Sequence, residues 1–461
     1  MASLKNLPAN KKTPLGQQLQ QFLVGVFISQ NLANPQLMVG FSGGLDSCVL
    51  LHLLHSIRKN LPFKLHAQHV HHGLSPNADA WADFCQSTCT QLNIPLAVSK
   101  VIVNKNSGLG LEATARAARY LALQTSNADF IILAHHQDDQ AETLLLQLAR
   151  GAGVKGLAGM SALDVNRKLL RPLLNVPRIQ LEAYAKQHQL TWIEDESNTD
   201  TQFDRNFMRH AVLPTLSKQY PAIGQTISRT AQHLAEASHL LDELAELDAS
   251  KSLFSKLEPT KLYLQPLASL SLPRANNLLR WWLLQNNLPM PSAAQLLQIT
   301  LQLLQAKADS AIKIVLADKT EIAQQTTLRR YQQFAYLVQD INPYQPMNLL
   351  WQGEETMVLP DKSELIFSKK MGEGLSLRRI ENAKLRIKNR EGGERFQPEL
   401  GRPSRGLKVM LQTHEMPPWL REQLPLIFMD EKLVLIPNIA VDAHLKANAD
   451  EMGLLVIWKQ S

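Results

Sequence analysis

Short apolar runs alternate with longer amphipathic segments over the first part of the chain, from Leu37 to about Asp195. The runs have the length of buried strands, and the segments between them carry apolar residues at helical spacing. Strands separated by helices in this way predict repeated βαβ units, and therefore a parallel sheet with helices on both faces. The predicted strands are Leu37–Phe41, Leu65–His71, Leu96–Val103, Asp129–His135 and Thr191–Glu194. The predicted helices are Asp46–Lys59, Ala78–Leu92, Leu111–Ser126, Asp138–Arg150 and Pro177–His188.

A different pattern follows this region. Apolar residues recur at helical spacing from Ala222 to about Ala249 and predict one long connecting helix. The stretch between Leu262 and Asp340 is rich in predicted helix, and the chain from about Leu349 mixes α and β patterns. Residues 342–346 have the composition of a linker. We therefore predict a doubly wound α/β domain at 1–220, a connecting helix at 221–255, a small helix-rich domain at 256–342 and a C-terminal mixed α+β domain at 349–461.

Composition narrows the class of protein. With 45% hydrophobic and 19% charged residues among 461, the chain has the composition of a globular protein large enough for two or three domains. The excess of 48 Lys and Arg over 41 Asp and Glu favours a polyanionic partner. Three cysteines are too few for a disulfide framework, and no apolar run reaches the ~18 residues that suggest a membrane span. We predict a cytoplasmic protein with no membrane partner, for which a homodimer is one of the open oligomeric states.

The sequence SGGLDS lies between the first predicted strand and the first predicted helix. Its two glycines allow a tight turn that brings backbone N–H groups close to an anion, and the start of the helix adds partial positive charge. Its two serines add hydroxyl donors. The pattern predicts a phosphate-binding loop that is neither a Walker A loop nor a GxGxxG fingerprint, with a plain strand-to-helix turn as the alternative. The loop residues are Ser42, Gly43, Gly44, Leu45, Asp46 and Ser47.

A histidine-rich segment, His69-Val70-His71-His72-Gly73, ends the second predicted strand. Such a cluster can line a nucleotide pocket, ligate zinc or form a structural turn. The absence of cysteine or carboxylate close by at ligand spacing disfavours zinc. The sequence therefore favours a place for His69 in the nucleotide pocket.

Carboxylates follow a second pair of histidines in the segment His135–Glu142. His135 is predicted to end a strand, and Asp138 to cap the helix that follows. Asp139 and Glu142 are three residues apart and share one helical face. Two carboxylates beside a histidine can bind a cationic substrate group or accept its proton. As an alternative, acidic residues at the start of a helix can serve only to stabilise the helix dipole. This interpretation accounts for Asp138 alone.

Three arginines each have two interpretations. Arg116 follows Glu112 by four residues, so it either pairs with Glu112 on a helix surface or faces the nucleotide and offsets phosphate charge. Arg205 and Arg209 share one face of a predicted helix that follows a turn-rich segment. Phosphate binding and simple exposure to solvent both remain open for this pair.

The five segments, taken in order, resemble the tRNA(Ile)-lysidine synthases, a family of PP-loop ATP pyrophosphatases of the N type. The segments span roughly Leu37 to Leu216 and read SGGLDS, HVHHGLSPNADAW, EATARAARY, LAHHQDDQAETLLLQLARG and DESNTDTQFDRNFMRHAVLP. Weaker likeness extends to Arg386–Phe396 and to LPLIFMDEKLVLIPN. Met208 stands where the family usually has isoleucine, which conserves side-chain volume.

The resemblance implies an ATP-dependent ligase that forms a carbon–nitrogen bond. Such enzymes use ATP to adenylate O2 of the wobble cytidine in the CAU anticodon of tRNA(Ile), with release of pyrophosphate. The ε-amine of free L-lysine then attacks C2 and displaces AMP. The lysidine formed changes codon specificity from AUG to AUA. The first domain would be catalytic, the two later domains would bind the tRNA, and ATP and Mg²⁺ are the implied cofactors.

The resemblance also assigns roles to individual residues. Those implied for catalysis are Asp46, His135, Asp139, Glu142 and Arg116, of which His135, Asp139 and Glu142 would also bind lysine. Those implied for ATP are Ser42, Gly43, Gly44, Leu45, Asp46, Ser47, His69, Arg205 and Arg209, with Asp46 near Mg²⁺.

Two basic stretches are candidates for contact with RNA phosphates. Between Arg378 and Lys408 ten Lys or Arg stand against four Glu, although a solvated surface is the alternative. The second stretch begins at Lys155, near the predicted active site. The predicted tRNA-binding residues are Lys155, Arg167, Lys168, Arg171, Arg386, Lys388, Arg390 and Arg395.

Three other functions stay open on the sequence alone. A PP-loop tRNA thiolase needs reactive cysteines, whereas Cys48 is predicted to be packed in a helix and Cys85 and Cys89 form an i,i+4 pair. A PP-loop synthetase for small molecules leaves the basic third unit without a purpose. A binding protein that has lost catalysis is disfavoured by the intact Asp46, His135, Asp139 and Glu142.

Overall fold

The computed structural model describes residues 14–102, 111–252, 259–306, 312–319, 324–341, 347–381 and 383–459. The predicted linker at 342–346 lies outside the described residues. The chain forms two compact units, residues 1–243 and 244–461. Within the described ranges no helix combines the length and the apolar character needed to cross a membrane.

Within its described residues the first unit contains six strands, nine complete α-helices and most of a tenth α-helix that continues into the second unit. Its strands are β1 (Gln36–Gly40), β2 (Lys64–His71), β3 (Leu96–Lys100), β4 (Phe130–Ile132), β5 (Leu163–Asp164) and β6 (Leu169–Leu170). Its helices are α1 (Leu15–Ser29), α2 (Leu45–Ile57), α3 (Ala78–Gln91), α4 (Leu111–Gln124), α5 (Gln137–Ala149), α6 (Val154–Leu157), α7 (Arg178–Gln187), α8 (Asp204–Phe207) and α9 (Leu213–Gln219). A 3-10 turn at Glu196–Thr199 and a π-helical turn at Met208–Val212 lie on either side of α8.

The strands of the first unit form one sheet in the order β3-β2-β1-β4-β6-β5. Strands β1, β2, β3, β4 and β6 are parallel, and β5 pairs antiparallel with β6 at the edge. The strand order reverses between β1 and β4, so the crevice at their carboxyl ends is the topological switch point where doubly wound sheets bind ligands. The predicted doubly wound parallel sheet is confirmed.

Side chains of β1 explain why helices cover both faces of this sheet. Leu37 and Val39 pack on one side with α1, α2 and α7. Met38 points to the other side and packs with Leu123 of α4. Because successive strand residues face opposite ways, a strand that is apolar at every position needs a helical layer on each face.

The sequence missed three features of this unit. Thr191–Glu194 is not a strand; it is irregular, and Ile193 N–H donates to Gly43 O at 2.9 Å. The fifth and sixth positions of the sheet are filled by the short strands β6 and β5, whose two residues each leave almost no periodic pattern. Helix α1 was not predicted, although its Leu19 and Leu23 are buried against α2.

Helix α10 (Ile223–Ser252) occurs where one long helix was predicted, and it extends past the end of the first unit into the second. The second unit then continues with β7 (Lys261–Tyr263), α11 (Leu264–Ala268), α12 (Leu272–Gln285), α13 (Ala293–Gln305), β8 (Lys313–Lys319), β9 (Gln324–Tyr331) and β10 (Phe334–Ile341). The four strands form an antiparallel sheet in the order β7-β10-β9-β8. Trp282 and Leu328 lie in the core shared by the helices and this sheet. The sequence predicted helices in this region, and the structure contains both those helices and this antiparallel sheet.

The last part of the second unit is mixed α and β. Its strands are β11 (Asn348–Leu350), β12 (Thr356–Val358), β13 (Glu364–Met371), β14 (Leu375–Ser376), β15 (Leu385–Lys388), β16 (Arg395–Phe396), β17 (Arg405–Gly406), β18 (Leu426–Met429), β19 (Lys432–Ile436), β20 (Ala440–Val441) and β21 (Met452–Lys459). Its helices are α14 (Leu407–Thr413) and α15 (Pro418–Gln423). The larger sheets have the orders β11-β15-β18-β19-β20 and β12-β13-β21-β14, and one continuous hydrophobic core joins them.

Candidate active site

The loop after β1 turns directly into α2. Gly43 has a φ of +82°, and Gly44 is the N-cap residue of α2. Ser47 Oγ donates to Gly44 O at 2.9 Å and lies 3.1 Å from Ser42 Oγ. These hydroxyl contacts hold the loop in a compact turn at the positive end of the helix. The geometry is that of an anion-binding loop.

Two features of the structure favour glycine at position 43. Its positive φ is costly for any residue with a Cβ atom. A Cβ placed there would also lie 2.6 Å from Ile193 Cδ1 and 3.1 Å from Cys85 Sγ. The irregular segment at Ile193 therefore packs against the back of the loop and limits what the loop can contain.

His136 joins this loop to the acidic residues of α5. Its imidazole is fully buried, and its Nε2 lies 3.5 Å from Asp46 Oδ2 and 3.5 Å from Asp139 Oδ2. The backbone N–H of His136 donates to Asp139 Oδ2 at 3.0 Å, which closes the first turn of α5. One imidazole thus lies between a carboxylate of the loop after β1 and a carboxylate in the first turn of α5.

Asp139 and Glu142 share one face of α5, as predicted, and two arginines bind them. Arg205 Nε contacts Glu142 Oε2 at 2.8 Å, and its Nη2 contacts Asp139 Oδ1 at 3.2 Å. Arg209 Nε contacts Glu142 Oε1 at 2.6 Å, and its Nη2 contacts Asp139 Oδ1 at 3.0 Å. The four residues form a network of charge-assisted hydrogen bonds.

The local fold explains how the arginines reach these carboxylates. Arg205 lies on α8 and Arg209 on the following π-helical turn, so both guanidinium groups project from one face of the continuous helical segment. A π-helical turn is rare and is often found at functional sites. The sequence left phosphate contact and solvent exposure open for this pair; in this structure the two arginines pair with Asp139 and Glu142.

The network sets the protonation of its members. Burial alone would raise the pKa of Asp139, but the adjacent His136 and Arg205 hold that pKa well below its usual range. The pKa of His136 is raised despite burial, because Asp46 and Asp139 favour the imidazolium. Since the pKa of Asp139 is depressed, its charge stabilises the fold above the ordinary carboxyl pKa of about 4. That stabilisation is lost only as the pH falls toward the depressed pKa.

The pKa of His135 is shifted in the opposite direction from that of its neighbour His136. Burial holds its pKa well below the usual value; Asp139 opposes this shift, while the positive charges of Arg205, Arg171 and Arg116 add to it. Its Nδ1 is buried and has no hydrogen-bond partner. His135 is therefore a neutral imidazole with an unused ring nitrogen beside the acidic pair.

Other predicted nucleotide residues lie around the same strand ends. His69 is buried, and its Nδ1 is 3.0 Å from Phe41 O at the end of β1. Arg116 is exposed on α4, where its guanidinium lies over the ring of Tyr120 at 5.4 Å. Arg119 on the same helix has a lowered pKa, through burial and the nearby charges of Arg116 and Arg205. The side chain of Glu112 lies outside the described residues, so the predicted pair with Arg116 is untested.

The sequence missed His136 and misassigned Asp138. Helix α5 begins at Gln137 with His136 as its N-cap residue, so Asp138 is already inside the helix and does not cap it. Asp138 Oδ1 instead accepts from the backbone N–H of Arg178 at 3.4 Å. His136, which the sequence analysis did not single out, is the residue whose imidazole lies between Asp46 and Asp139. The predicted role of His135 stays a prediction.

The three cysteines are buried behind the phosphate-binding loop. Cys48 Sγ donates to Gly43 O at 3.2 Å, and Cys85 Sγ lies 3.5 Å from His69 Nδ1. Burial raises the pKa of Cys48 to about 12 and that of Cys89 to about 11. Thiols with raised pKa values are poor nucleophiles, so they lack the property that a sulfur-transfer enzyme requires.

The predicted tRNA contacts of the first unit fall into two groups. Lys155 Nζ pairs with Asp242 at 3.2 Å on the surface, and Arg167 and Lys168 are exposed. Arg171 is buried, and its Nη1 donates to Ser161 O at 2.7 Å. Its burial and its bond to the backbone hold Arg171 inside the unit, and the RNA contact predicted for it stays a prediction.

The predicted tRNA contacts of the second unit lie on and after β15. Leu385 and Ile387 point into the core. Arg386 and Lys388 alternate with them along β15 and therefore lie on the opposite face. Each of the four predicted residues has a partner near the surface. The contacts are Arg386 Nη1 to Asn348 Oδ1 (3.2 Å), Lys388 Nζ to Glu431 Oε2 (3.3 Å), Arg390 Nε to Glu394 Oε2 (3.4 Å) and Arg395 Nε to Ser404 Oγ (3.0 Å).

Comparison with known proteins assigns the family. Three family models match the chain: a PP-loop domain over residues 12–216, the TilS substrate binding domain over 262–336 and the TilS substrate C-terminal domain over 385–458. The chain is 41% identical over 432 residues to the tRNA(Ile)-lysidine synthase of Nitrosomonas europaea, with 92% of each chain covered. The chain belongs to the tRNA(Ile)-lysidine synthase family. It is also 36% identical to the member from Coxiella burnetii, over 93% of this chain and 94% of that one.

Membership of the tRNA(Ile)-lysidine synthase family confirms the resemblance drawn from the five sequence segments. It places the protein among ATP-using enzymes that modify tRNA. The match to the PP-loop domain covers the first sheet and the whole of the Asp46–His136–Asp139 arrangement. The thiolase alternative is not retained, in agreement with the buried thiols.

The loop geometry predicts that Gly43→Ala destabilises the protein more than Gly73→Ala. Both glycines have positive φ values, +82° and +64°, so each substitution costs about 1–2 kcal/mol of backbone strain. A Cβ at Gly73 meets nothing within 4 Å, whereas one at Gly43 meets Ile193 and Cys85, which adds about 1–3 kcal/mol of overpacking. Thermal unfolding of both variants checks this. Equal melting temperatures would contradict the packing argument.

The buried ion network predicts that Glu142→Gln lowers the free energy of unfolding substantially. The Glu142 side chain is 1% exposed and has two arginine partners, so its loss leaves their charges uncompensated. We expect a cost near the lower end of the ~3–5 kcal/mol typical of broken buried pairs, since the arginines are partly solvated. Asp204→Asn is the control, because its exposed pair with Arg150 contributes less than about 1 kcal/mol. Chemical denaturation compares the two, and a similar effect of both substitutions would refute the argument.

Proposed function

We propose that this protein ligates free L-lysine to C2 of the wobble cytidine in the CAU anticodon of tRNA(Ile). ATP first adenylates O2 of the base and pyrophosphate leaves. The ε-amine of lysine then forms the new C–N bond as the C2–O2 bond breaks and AMP departs. The product pairs with A, so the codon read changes from AUG to AUA. The proposed site of action is the cytoplasm.

The observation that carries the proposal is the buried connection from Asp46 through His136 to Asp139. It puts an anion-binding loop and a pair of carboxylates at neighbouring strand ends of the same crevice. A reaction that uses a nucleoside triphosphate and a cationic amine needs both kinds of site within reach of one reacting base. The proposed location of both is the switch point of the sheet.

The loop residues have a defined task in the first step. A cytosine oxygen is a poor nucleophile toward phosphorus, so the α-phosphate has to be held and its charge offset. The backbone of Gly43 and Gly44, the hydroxyls of Ser42 and Ser47, and the start of α2 supply oriented dipoles for that purpose. Contact of His69, Arg116, Arg205 and Arg209 with ATP remains part of the proposal.

The residues present suit a Mg²⁺ ion that arrives with ATP. Asp46 Oδ1 is buried and makes no hydrogen bond, which leaves one carboxylate oxygen for a hard cation. No group of three metal-binding side chains occurs among the described residues. Mg²⁺ usually binds through one or two carboxylates together with substrate phosphates and water. When bound, the ion neutralises phosphate charge.

Asp139 and Glu142 are the proposed anchor of the lysine ammonium. In this structure Arg205 and Arg209 bind the carboxylate oxygens that the ammonium would use. We therefore propose that at least one guanidinium moves away when lysine binds. The ammonium must also lose a proton before attack, and the neutral His135, with an unused ring nitrogen, is the proposed acceptor.

The tRNA contributes the base and most of the binding area. A loop base leaves its stack at a cost of a few kcal/mol, so a pocket at the switch point can accept it. The proposed phosphate contacts are the exposed Lys155, Arg167 and Lys168 in the first unit, and Arg386, Lys388, Arg390 and Arg395 in the second. A homodimer remains a prediction from the long connecting helix.

The test of the reaction combines purified protein, Mg-ATP, labelled L-lysine and an unmodified tRNA(Ile) transcript with a CAU anticodon. We expect ATP-dependent labelling of this transcript and none of a UAU-anticodon control. Asp139→Asn is expected to slow the second step at least tenfold, while release of pyrophosphate in the presence of the RNA, which reports the first step, continues. Absence of both labelling and pyrophosphate release would overturn the proposal.

The RNA surface predicts a change in salt dependence. Each phosphate contact contributes about one unit to the slope of log affinity against log salt concentration. Replacing Arg386 and Arg395 together by Gln is expected to weaken tRNA binding and to reduce the slope by about 2. Replacing Arg58 and Lys59 by Gln removes the same charge at the end of α2 remote from the loop. Filter binding across a salt series compares the two, and equal slopes would argue against this surface.

A further inference from the structure

The four-stranded sheet β7-β10-β9-β8 presents different residues on its two faces. One face packs on the helices of the second unit through the core residues Leu262, Leu328 and Ala335. Since successive strand residues point to opposite faces, the residues that alternate with these lie on the outer face. The outer face carries aromatic and cationic side chains, from Lys261, Tyr263, Arg329, Tyr331, Phe334 and Tyr336.

These six residues form two rows across the strands. The rows are Lys261–Tyr336–Arg329 and Tyr263–Phe334–Tyr331. Lys261 Nζ lies 4.5 Å from the centre of the Phe334 ring, and the ring centres of Phe334 and Tyr263 are 5.2 Å apart. The outer face thus offers aromatic edges and faces, with cations beside them, to a group that packs on it.

Trp419 of α15 packs on these rows from a distant part of the chain. Its ring centre lies 5.4 Å from that of Tyr336 and 6.3 Å from that of Tyr331, with interplanar angles of 74° and 81°. Arg329 Cζ lies 5.2 Å from the centre of the Trp419 ring. Edge-to-face aromatic pairs and a cation over a ring are the attractive geometries for such side chains.

Arg421 makes the same contact specific. It is 8% exposed, and its Nη2 donates to Tyr331 Oη at 2.8 Å, from a position 90 residues later in the sequence. Its Nε donates to Met416 O at 2.7 Å, just before α15. Because a buried guanidinium is stable only where its hydrogen bonds are made, α15 has a preferred position on the sheet.

The position of α15 is transmitted to the basic strand β15. Leu424 at the end of α15 is buried, and the chain continues at once into β18, which pairs antiparallel with β15. Asn389 Nδ2 at the end of β15 donates to Glu422 O at 3.5 Å. Strand β15 carries Arg386 and Lys388, two of the proposed RNA contacts.

We propose that Trp419 and Arg421 are positioning residues for tRNA binding. They hold the C-terminal sheets in one orientation on the β7-β10-β9-β8 sheet, so that cationic groups of both parts bind one RNA molecule together. This inference rests on the proposed function, in which tRNA is the substrate. It adds residues that act through the basic surfaces and have no contact with the reacting base.

A fixed orientation matters because two surfaces then bind one stiff RNA molecule at the same time. Surfaces joined at the correct separation bind more tightly than either alone, and the gain is lost where geometry prevents both from engaging. Ordering two loosely joined parts during binding also costs free energy, which a preformed contact avoids. Cations lie on both parts, with Lys261 and Arg329 on the sheet and Arg386 and Lys388 on β15.

The test measures the Kd for CAU-anticodon tRNA by filter binding, and KM and kcat for lysine transfer to the same RNA. Trp419→Ala is expected to raise the Kd and KM for tRNA about tenfold, with kcat at saturating tRNA unchanged. Trp419→Phe, which keeps an aromatic ring at the contact, should restore most of the affinity. Small-angle X-ray scattering of free Trp419→Ala should give a larger radius of gyration than the wild type.

Tyr331→Phe is the milder variant. It removes only the hydroxyl that accepts from Arg421 and keeps the ring that packs on Trp419. We expect the Kd for tRNA to rise about two- to threefold, as for loss of one hydrogen bond. Should Trp419→Ala unfold, this variant applies the test to a folded protein.

Trp351→Ala is the matched control. Trp351 stacks on Phe367 with ring centres 5.0 Å apart inside the C-terminal part, so its loss removes an aromatic contact and leaves the contact with the other sheet in place. The Kd for tRNA should be unchanged in this variant.

The outcomes separate this inference from the proposed function. Unchanged Kd in both Trp419→Ala and Tyr331→Phe would overturn the inference, as would an equal rise in Trp351→Ala. A fall in kcat at unchanged KM would also overturn it, because the residues would then act on the chemical step. A wild type that binds the tRNA but transfers no lysine would overturn the proposed function alone, since filter binding does not depend on the reaction.

Discussion

The carboxylates of Asp139 and Glu142 are buried, and a buried charge without a partner costs several kcal/mol, so the surrounding chain has to supply positive groups. Arg205 and Arg209 meet that need from a segment more than sixty residues later in the sequence. Their hydrogen bonds to these carboxylates hold α8 and the π-helical turn against α5. The position of this later segment, and of α9 that follows it, depends on the same pairing.

His136 extends the network to the phosphate-binding loop. Because its imidazole lies between Asp46 and Asp139, the charge state of the loop and that of the acidic pair are linked. A change of charge at either carboxylate alters the stability of the imidazolium between them. The proposed sequence of events, first a triphosphate at the loop and then a cationic amine at α5, involves both ends of this connection.

Some charged pairs elsewhere in the molecule act differently because they are solvated. The pairs Arg150–Asp204 and Lys155–Asp242 are exposed, so they contribute little to stability and can exchange their partners for phosphate groups. Arg395, exposed and bonded to the loop at Ser404, has the same freedom. The protein thus uses buried charge to build its site, and the proposed RNA contacts draw on solvated charge.

The sequence by itself determined the doubly wound sheet, the phosphate-binding loop and the shared face of Asp139 and Glu142, since each depends on local spacing. An apolar period of 2 or 3.6 residues and a pair of glycines are local signals that can be recognised in the sequence without knowledge of tertiary contacts. The short β5 and β6 strands and the irregular segment at Ile193 were missed or misassigned, because two-residue strands leave no period and Ile193 is positioned by Gly43. Only the tertiary structure placed His136 between Asp46 and Asp139 and bound Arg205 and Arg209 to the acidic pair. These arrangements depend on which charged residues, distant in sequence, lie within reach of a buried group. Local sequence spacing does not determine those spatial distances.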